Sequence, residues 1–160
     1  MTHRAAIAGS LVVLVACSAL PAWGLQYTIA YTGETHSMVG PCNCPIRPDG
    51  GVARRATMLR QVRKRGLNPV LVVDAGGLFA GGPYDEYTLG PVVDRERTLT
   101  TLRAMALMGY DAVGVGDEEL AYGADFLRHA GDVARTTFVS ANLCGADGRL
   151  LLPTHVVREV

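Results

Sequence analysis

The stretch Pro69-Val70-Leu71-Val72-Val73-Asp74 is an unbroken apolar run, mostly β-branched, that ends on a carboxylate. A run of about four to eight such residues is the pattern of a strand buried on both faces of a parallel sheet. Upstream, Val52 to Arg65 places Val52, Met58, Leu59 and Val62 at helical spacing, with Gly66 as its stop. Before it, Gln26 to Thr32 is rich in Tyr, Ile and Thr and reads as a strand. Downstream, Asp94 to Met108 reads as a second helix ended by Gly109, Asp111 to Val115 as a short strand, and Glu119 to His129 as a third helix. Thr136 to Asn142 is another strand, and Arg149 to Val157 is extended, with Pro153 demoting its middle. Strands that alternate with helices predict an α/β fold, a layered sheet of largely parallel strands with flanking helices. In such sheets the loops leaving the carboxyl ends of the strands build the site. Those loops are Gly33 to Gly51, Ala75 to Gly90, Gly116 to Leu120 and Leu143 to Gly148, and every unusual feature of the chain lies in one of them.

The chain has 160 residues, with 15 basic and 15 acidic, so its formal net charge is zero. One domain with a real core fits that length. The balance argues against nucleic acid as a partner, because its binders carry a clustered positive excess. Arg4 followed by an apolar run from Ala5 to Cys17 reads as a secretory signal, too short for a bilayer span of about 20 apolar residues. Residues 1–24 are therefore expected to be the signal and 25–160 the folded part. Two processing routes are open. Ala22-Trp23-Gly24 offers small residues for cleavage before Leu25. Leu14-Val15-Ala16-Cys17 resembles a bacterial lipobox in which Cys17 is lipidated, and this lipid anchor would be the only contact with a membrane. Either route predicts export, to the periplasm or as an outer-membrane lipoprotein.

Four cysteines occur, Cys17, Cys42, Cys44 and Cys144. Without Cys17 three remain, and an odd number in an oxidising compartment leaves one thiol without a partner in the chain. Cys42-Asn43-Cys44 is the most distinctive local feature. Thiols one residue apart could form a strained, labile disulfide or hold a soft metal, and Cys144 could serve as a resolving thiol or third ligand. A structural disulfide from Cys144 to one of the pair is the plainer alternative. Arg54, Arg55, Arg60, Arg63, Lys64 and Arg65 cluster on the first helix. The last four read as a solvated face whose final charges complement the helix dipole, whereas Arg54 and Arg55, beside Gly50-Gly51, are anion-binding candidates.

Five ordered segments together resemble the N-terminal domain of the 5'-nucleotidase (UshA-like) branch of the calcineurin-like metallophosphoesterases. They are YTGETHS (Tyr31 to Ser37), GGVARRATMLRQVR (Gly50 to Arg63), VLVVDAGGLFAG (Val70 to Gly81), GYDAVGVGDEELAYG (Gly109 to Gly123) and FVSANL (Phe138 to Leu143). The Cys-containing loop is similar to that of UshA-like proteins of which some are described as selenoproteins. The resemblance covers the first half of such a domain. It implies two metal ions that clamp a phosphate and activate a water for in-line attack, with nucleotides or other phosphoesters as ligands.

Set against the family pattern, most ligand positions are altered. Glu34 stands where the resemblance expects Asp, while His36 is kept. Asp74 is kept, but Gly77 replaces the Asp that would bridge both metals. Gly116 is followed by Asp117 and Glu118 in place of Asn and His, so Glu118 holds the position of the catalytic histidine. The family's later histidine motifs have no counterpart up to Val160. The expected site is thus Glu34, His36 and Asp117, with Asp74 less favoured, around a divalent ion (Mn, Zn, Mg or Ca) bound weakly or not at all. The opposing expectation makes these carboxylates relics on solvent-facing loops, with Glu119 a helix N-terminal acid. Three functions compete: a metal-dependent phosphoesterase, a degenerate member working through Cys42 and Cys44, and an envelope lipoprotein that binds a protein partner.

Overall fold

The computed structural model describes residues 26–159 apart from 43 and 67. The signal, the lipidation candidate Cys17 and both cleavage routes lie outside the described residues. Four parallel strands, β1 (Thr28–Thr32), β2 (Val70–Asp74), β3 (Ala112–Gly114) and β4 (Thr137–Val139), form one sheet in sequential order. Helices α1 (Val52–Arg65), α2 (Pro91–Met108) and α3 (Gly123–Ala134) connect them. Right-handed crossovers between strands taken in chain order place all three helices on one face. That face buries Val72, Val113 and Phe138 against Leu59, Leu102, Met105, Phe126 and Leu127. The other face shows at β1, where Ile29 and Tyr31 are 64% and 79% exposed. Each large apolar side chain buried on the helical face contributes roughly 1.5–3 kcal/mol. Among the described residues no helix is long and apolar enough to cross a membrane.

Three expectations need correction. The third helix does not begin at Glu119: Glu118–Leu120 is a 3-10 turn, and α3 starts at Gly123 and runs on to Ala134. Gly123 has φ 80, outside helical backbone, and so interrupts what the spacing presents as one segment. Helix α2 starts three residues earlier than expected, with Pro91 at the position where its missing N–H is harmless. The tail after β4 makes an isolated antiparallel bridge between Leu150 and Cys144. It runs back over the domain, with the Ser140 amide donating to Pro153 O and Arg158 to Asp111 O. Arg63 departs from the solvated reading as well, because its guanidinium donates to the carbonyls of Met108 and Gly109 and caps α2.

The loop from Ala75 to Gly90 is held by buried carboxylates. Glu119, fully buried, accepts from the amides of Leu78, Phe79 and Gly116 at 2.6, 3.3 and 2.7 Å, and thereby ties the loops after β2 and β3 together. Burial pushes its carboxyl above the ordinary value, against the lowering effect of those three amides. Phe79 is consequently locked into the core against Phe126, Phe138 and Tyr122. At the far end of the loop Asp94 accepts from the Thr88 hydroxyl, the amides of Leu89 and Gly90, and Arg97. Burial opposes its ionised form, but those donors outweigh it and hold the carboxyl below its ordinary value.

Glu119→Ala strands three buried amides at about 1–3 kcal/mol each. A fall in melting temperature of at least about 10 °C by circular dichroism is expected. For Asp94 the folded carboxyl is the stronger acid, so the unfolded chain binds more protons. Its stabilisation is present above the unfolded value and is lost as pH falls through the folded one. The gap in melting temperature between the parent and Asp94→Asn should accordingly be widest near neutrality and shrink in acid.

Candidate functional site

The loops after β1 and β2 run side by side. The Glu34 amide donates to Gly76 O and the His36 amide to Gly77 O, each at 2.9 Å, and the buried Ser37 hydroxyl donates to Leu78 O. To follow that path Glu34, His36 and Ser37 adopt φ of 50, 42 and 47. Three left-handed residues that are not glycine in one short turn store strain, typically about 1–3 kcal/mol each. Arg97 on α2 braces the turn from behind by donating to His36 O at 2.7 Å.

His36 is held between two carboxylates. Its Nδ1 lies 3.2 Å from Glu118 Oε2, and its Nε2 lies 3.6 Å from Glu34 Oε2. Glu118 is 1% exposed, and its other oxygen accepts from the Tyr84 amide at 3.0 Å. The Glu34 side chain is largely solvent-facing. Two glycines make room for this arrangement. A Cβ on Gly77 would meet the Glu34 carboxylate at 2.6 Å, and one on Gly82 would meet Glu118 Oε2 at 2.5 Å.

The other expected ligands are elsewhere. Asp74 is buried and directs its carboxylate to the Thr32 hydroxyl and the Gly76 amide; burial raises its pKa against those two hydrogen bonds. Asp117 is exposed and accepts from the Glu118 amide, in a shallow pocket with Ser140 and Asn142. Neither joins His36. Glu118 and Glu119 are not relics on solvent-facing loops, and Glu119 is not a helix N-terminal acid, because both are buried on loop amides. Among the described residues no group of three or more His, Cys, Asp or Glu is arranged to hold an ion. The donor set does not fit two metal ions. It offers one ion a facing pair, Glu34 Oε2 and His36 Nε2, with the remaining positions left to water or ligand oxygens.

Cys42, Cys44 and Cys144 are all free thiols, so the structural disulfide from Cys144 is not formed. Cys144 follows β4 and the pair follows β1, the opposite margins of the sheet, roughly 14 Å apart at the strand spacing. The exposed Cys44 thiol is lowered by hydrogen bonds from the backbone at Arg47 and Ile46. Cys42 Sγ accepts from the Asp49 amide at 3.3 Å.

Arg54 and Arg55 line a pocket of about 370 Å³ with Asp49, Gly50, Gly51 and Met58, where α1 begins. Arg54 lies 3.9 Å from Asp49. Arg55 Nη1 is buried and has no hydrogen-bond partner among the described residues, and its charge is felt by Asp74. Arg97, Tyr84 and Gly82 are site residues that the sequence does not announce. Only Gly82, in a glycine-rich loop, carries a signal that could have pointed to it.

No family model matches the chain. The trifunctional nucleotide phosphoesterase YfkN of Bacillus subtilis is 30% identical over 115 residues, 69% of this chain and 8% of that protein. A solved YfkN structure, described as a calcineurin-like phosphoesterase, superposes with a TM-score of 0.55 at 25% identity, over 81% of this chain and 40% of that one. Rat 5'-nucleotidase is 30% identical over 138 residues, 79% of this chain and 22% of the enzyme. The 5'-nucleotidase precursor of Thermus thermophilus superposes with a TM-score of 0.57 at 28% identity, over 72% of this chain and 22% of that one. The chain thus spans less than a quarter of the length of these curated relatives. Parallel sheet, strand-end loops and matched segments agree, and over them the chain belongs to the 5'-nucleotidase (UshA-like) branch of the calcineurin-like metallophosphoesterases, as part of their N-terminal domain.

Proposed function

We propose that this chain is an exported member of its family that binds a nucleotide or another phosphoester at the strand-end loops and hydrolyses it weakly or not at all. The ligand class is taken from the nucleotide phosphoesterase and 5'-nucleotidase relatives. The observation that carries the reading is the placement of Glu118, buried against His36, the Tyr84 amide and Gly82, in a site whose residue 77 has no side chain. A two-ion hydrolase needs a ligand shared by both ions and a group near the leaving oxygen. Here the side chain at the second position is occupied with holding an imidazole. The unpartnered Arg55 N–H at the start of α1 supports an anionic ligand, since a phosphate oxygen would satisfy it. Export, with or without a lipid on Cys17, rests on the N-terminal sequence alone. Mass spectrometry of the mature N-terminus separates a lipidated Cys17 from a start at Leu25.

A second reading assigns thiol chemistry to Cys42 and Cys44, favoured by the exposed Cys44 thiol whose backbone donors stabilise its thiolate. An envelope lipoprotein that binds a protein partner has only the Cys17 motif behind it.

Phosphatase assays with Mn, Zn, Mg and Ca on nucleotide substrates should give turnover at least about a thousandfold below a typical enzyme. Rapid hydrolysis with any of these ions overturns the proposal. Alkylation across pH should show Cys44 reacting as thiolate at lower pH than free cysteine measured beside it. Equal profiles for the two thiols remove the basis of the second reading.

A further inference from the structure

Between the loops after β1 and β2 lies a slot of about 490 Å³, inside the range of roughly 300–1,000 Å³ that small-molecule sites occupy. Met38, Val39 and Pro41 line it from the first loop, and Glu86, Tyr87 and Leu89 from the second. We infer that this slot holds the base of a nucleotide, stacked on the Tyr87 ring. The inference rests on the proposed binding of a phosphoester at these loops and adds the group recognised besides phosphate.

The Tyr87 ring is half-exposed, yet its backbone is fixed on both sides. Its amide donates to Asp85 Oδ1 and its carbonyl accepts from Arg97, each at 2.8 Å. The next two residues are pinned as well, because Asp94 accepts from the Thr88 hydroxyl and the Leu89 amide. Arg97 also donates to His36 O at 2.7 Å, so one planar guanidinium holds both loops that border the slot. An aromatic ring on a fixed backbone has little freedom left to lose when a flat ligand stacks on it. Charge decides which end of a nucleotide enters. Arg97 lies 2.8 Å from Asp94 and 3.7 Å from Asp85, so two buried carboxylates already match its charge. Glu86 adds an exposed carboxylate. A phosphate would meet net negative charge there. A base brings a flat apolar face and, in adenine, guanine or cytosine, an amino group from which a carboxylate accepts. The cationic pocket of Arg54 and Arg55 lies across a wall one backbone thick. Gly40 lines the slot and Gly51 that pocket, and a Cβ on Gly51 would lie 2.9 Å from the carbonyl carbon of Gly40. Arg55 Nη1 is buried there without a partner among the described residues. An aromatic slot beside an unsatisfied guanidinium matches the two ends of one nucleotide.

The experiment is calorimetric titration of the mature chain with adenosine monophosphate, adenosine and ribose 5-phosphate, without added metal. The nucleotide is expected to bind at least about tenfold more tightly than ribose 5-phosphate. Tyr87→Ala should remove that advantage and leave the affinity for ribose 5-phosphate unchanged. Tyr87→Phe keeps the ring and should keep the advantage. Ribose 5-phosphate bound as tightly as the nucleotide overturns the inference while the phosphoester reading stands. So does an advantage that survives Tyr87→Ala or is lost in Tyr87→Phe. A loss in Tyr87→Ala that ribose 5-phosphate shares equally overturns it too, since a displaced loop would then account for both. Adenosine that binds, and is lost in Tyr87→Ala, supports the slot even where ribose 5-phosphate does not bind, and in that case the phosphoester reading alone fails. Binding of none of the three overturns both.

Discussion

Three backbone amides converging on the Glu119 carboxylate are the constraint on which the rest of this domain depends. The amides of Leu78 and Phe79 come from the loop after β2 and that of Gly116 from the loop after β3, so one buried side chain fixes two loops in register. A buried backbone N–H without a partner is costly, and the loop from Ala75 to Gly90 has no strand or helix of its own to satisfy its amides. Glu118, Asp85 and Asp94 repeat the solution along its length, receiving the amides of Tyr84, Gly81, Tyr87, Leu89 and Gly90. Arg97 balances the two aspartates and carries the same network to His36 O. The loop after β2 is therefore positioned by buried carboxylates that receive its amides.

The strands and the first two helices were legible because their signals are local. A β-branched run such as Val70 to Val73 and a helical apolar spacing such as that of α1 are set by neighbours a few residues apart. The third helix misled because Glu119 looks like an acid at a helix start, while it accepts from the Leu78 and Phe79 amides about 40 residues away in sequence. Such partners leave no periodicity behind. Asp94 and Arg97 were hidden for the same reason, since one turn of a helix gives no hint that its polar face closes a preceding loop. Residues Glu34 and His36 could be placed on the right loop by their motif. Their relation to Gly77 and Gly82 could not, because it depends on left-handed backbone at Glu34 and on parallel alignment with the loop after β2.

The topology also explains why one face of the sheet differs from the other. Four strands in chain order with right-handed crossovers send every helix to the same side. The alternation within β1 then separates Ala30, packed against the core, from Ile29 and Tyr31, which stand clear of it. A parallel sheet in an α/β protein is ordinarily covered on both faces. The same geometry gathers all the carboxyl ends, and so the four strand-end loops, along one end of the sheet.

Strain and substitution at the site are two aspects of one arrangement. Aspartate at 34 would be too short to reach across the gap to residue 77, and a side chain at 77 would collide with a glutamate that does reach it. The left-handed turn at Glu34, His36 and Ser37 is tolerated because main-chain bonds to Gly76 and Gly77, the Ser37 bond to Leu78 and the Arg97 brace over-determine it. Loosening any of these lets the turn relax toward ordinary backbone and withdraws the Glu34 carboxylate from the slot. These positions are sterically interdependent: glycine at 77 leaves room for the acid at 34, and glycine at 82 for the glutamate at 118. The two glycines and the two glutamates thus form one steric unit, with Glu34 filling the space beside residue 77 and Glu118 the space beside residue 82.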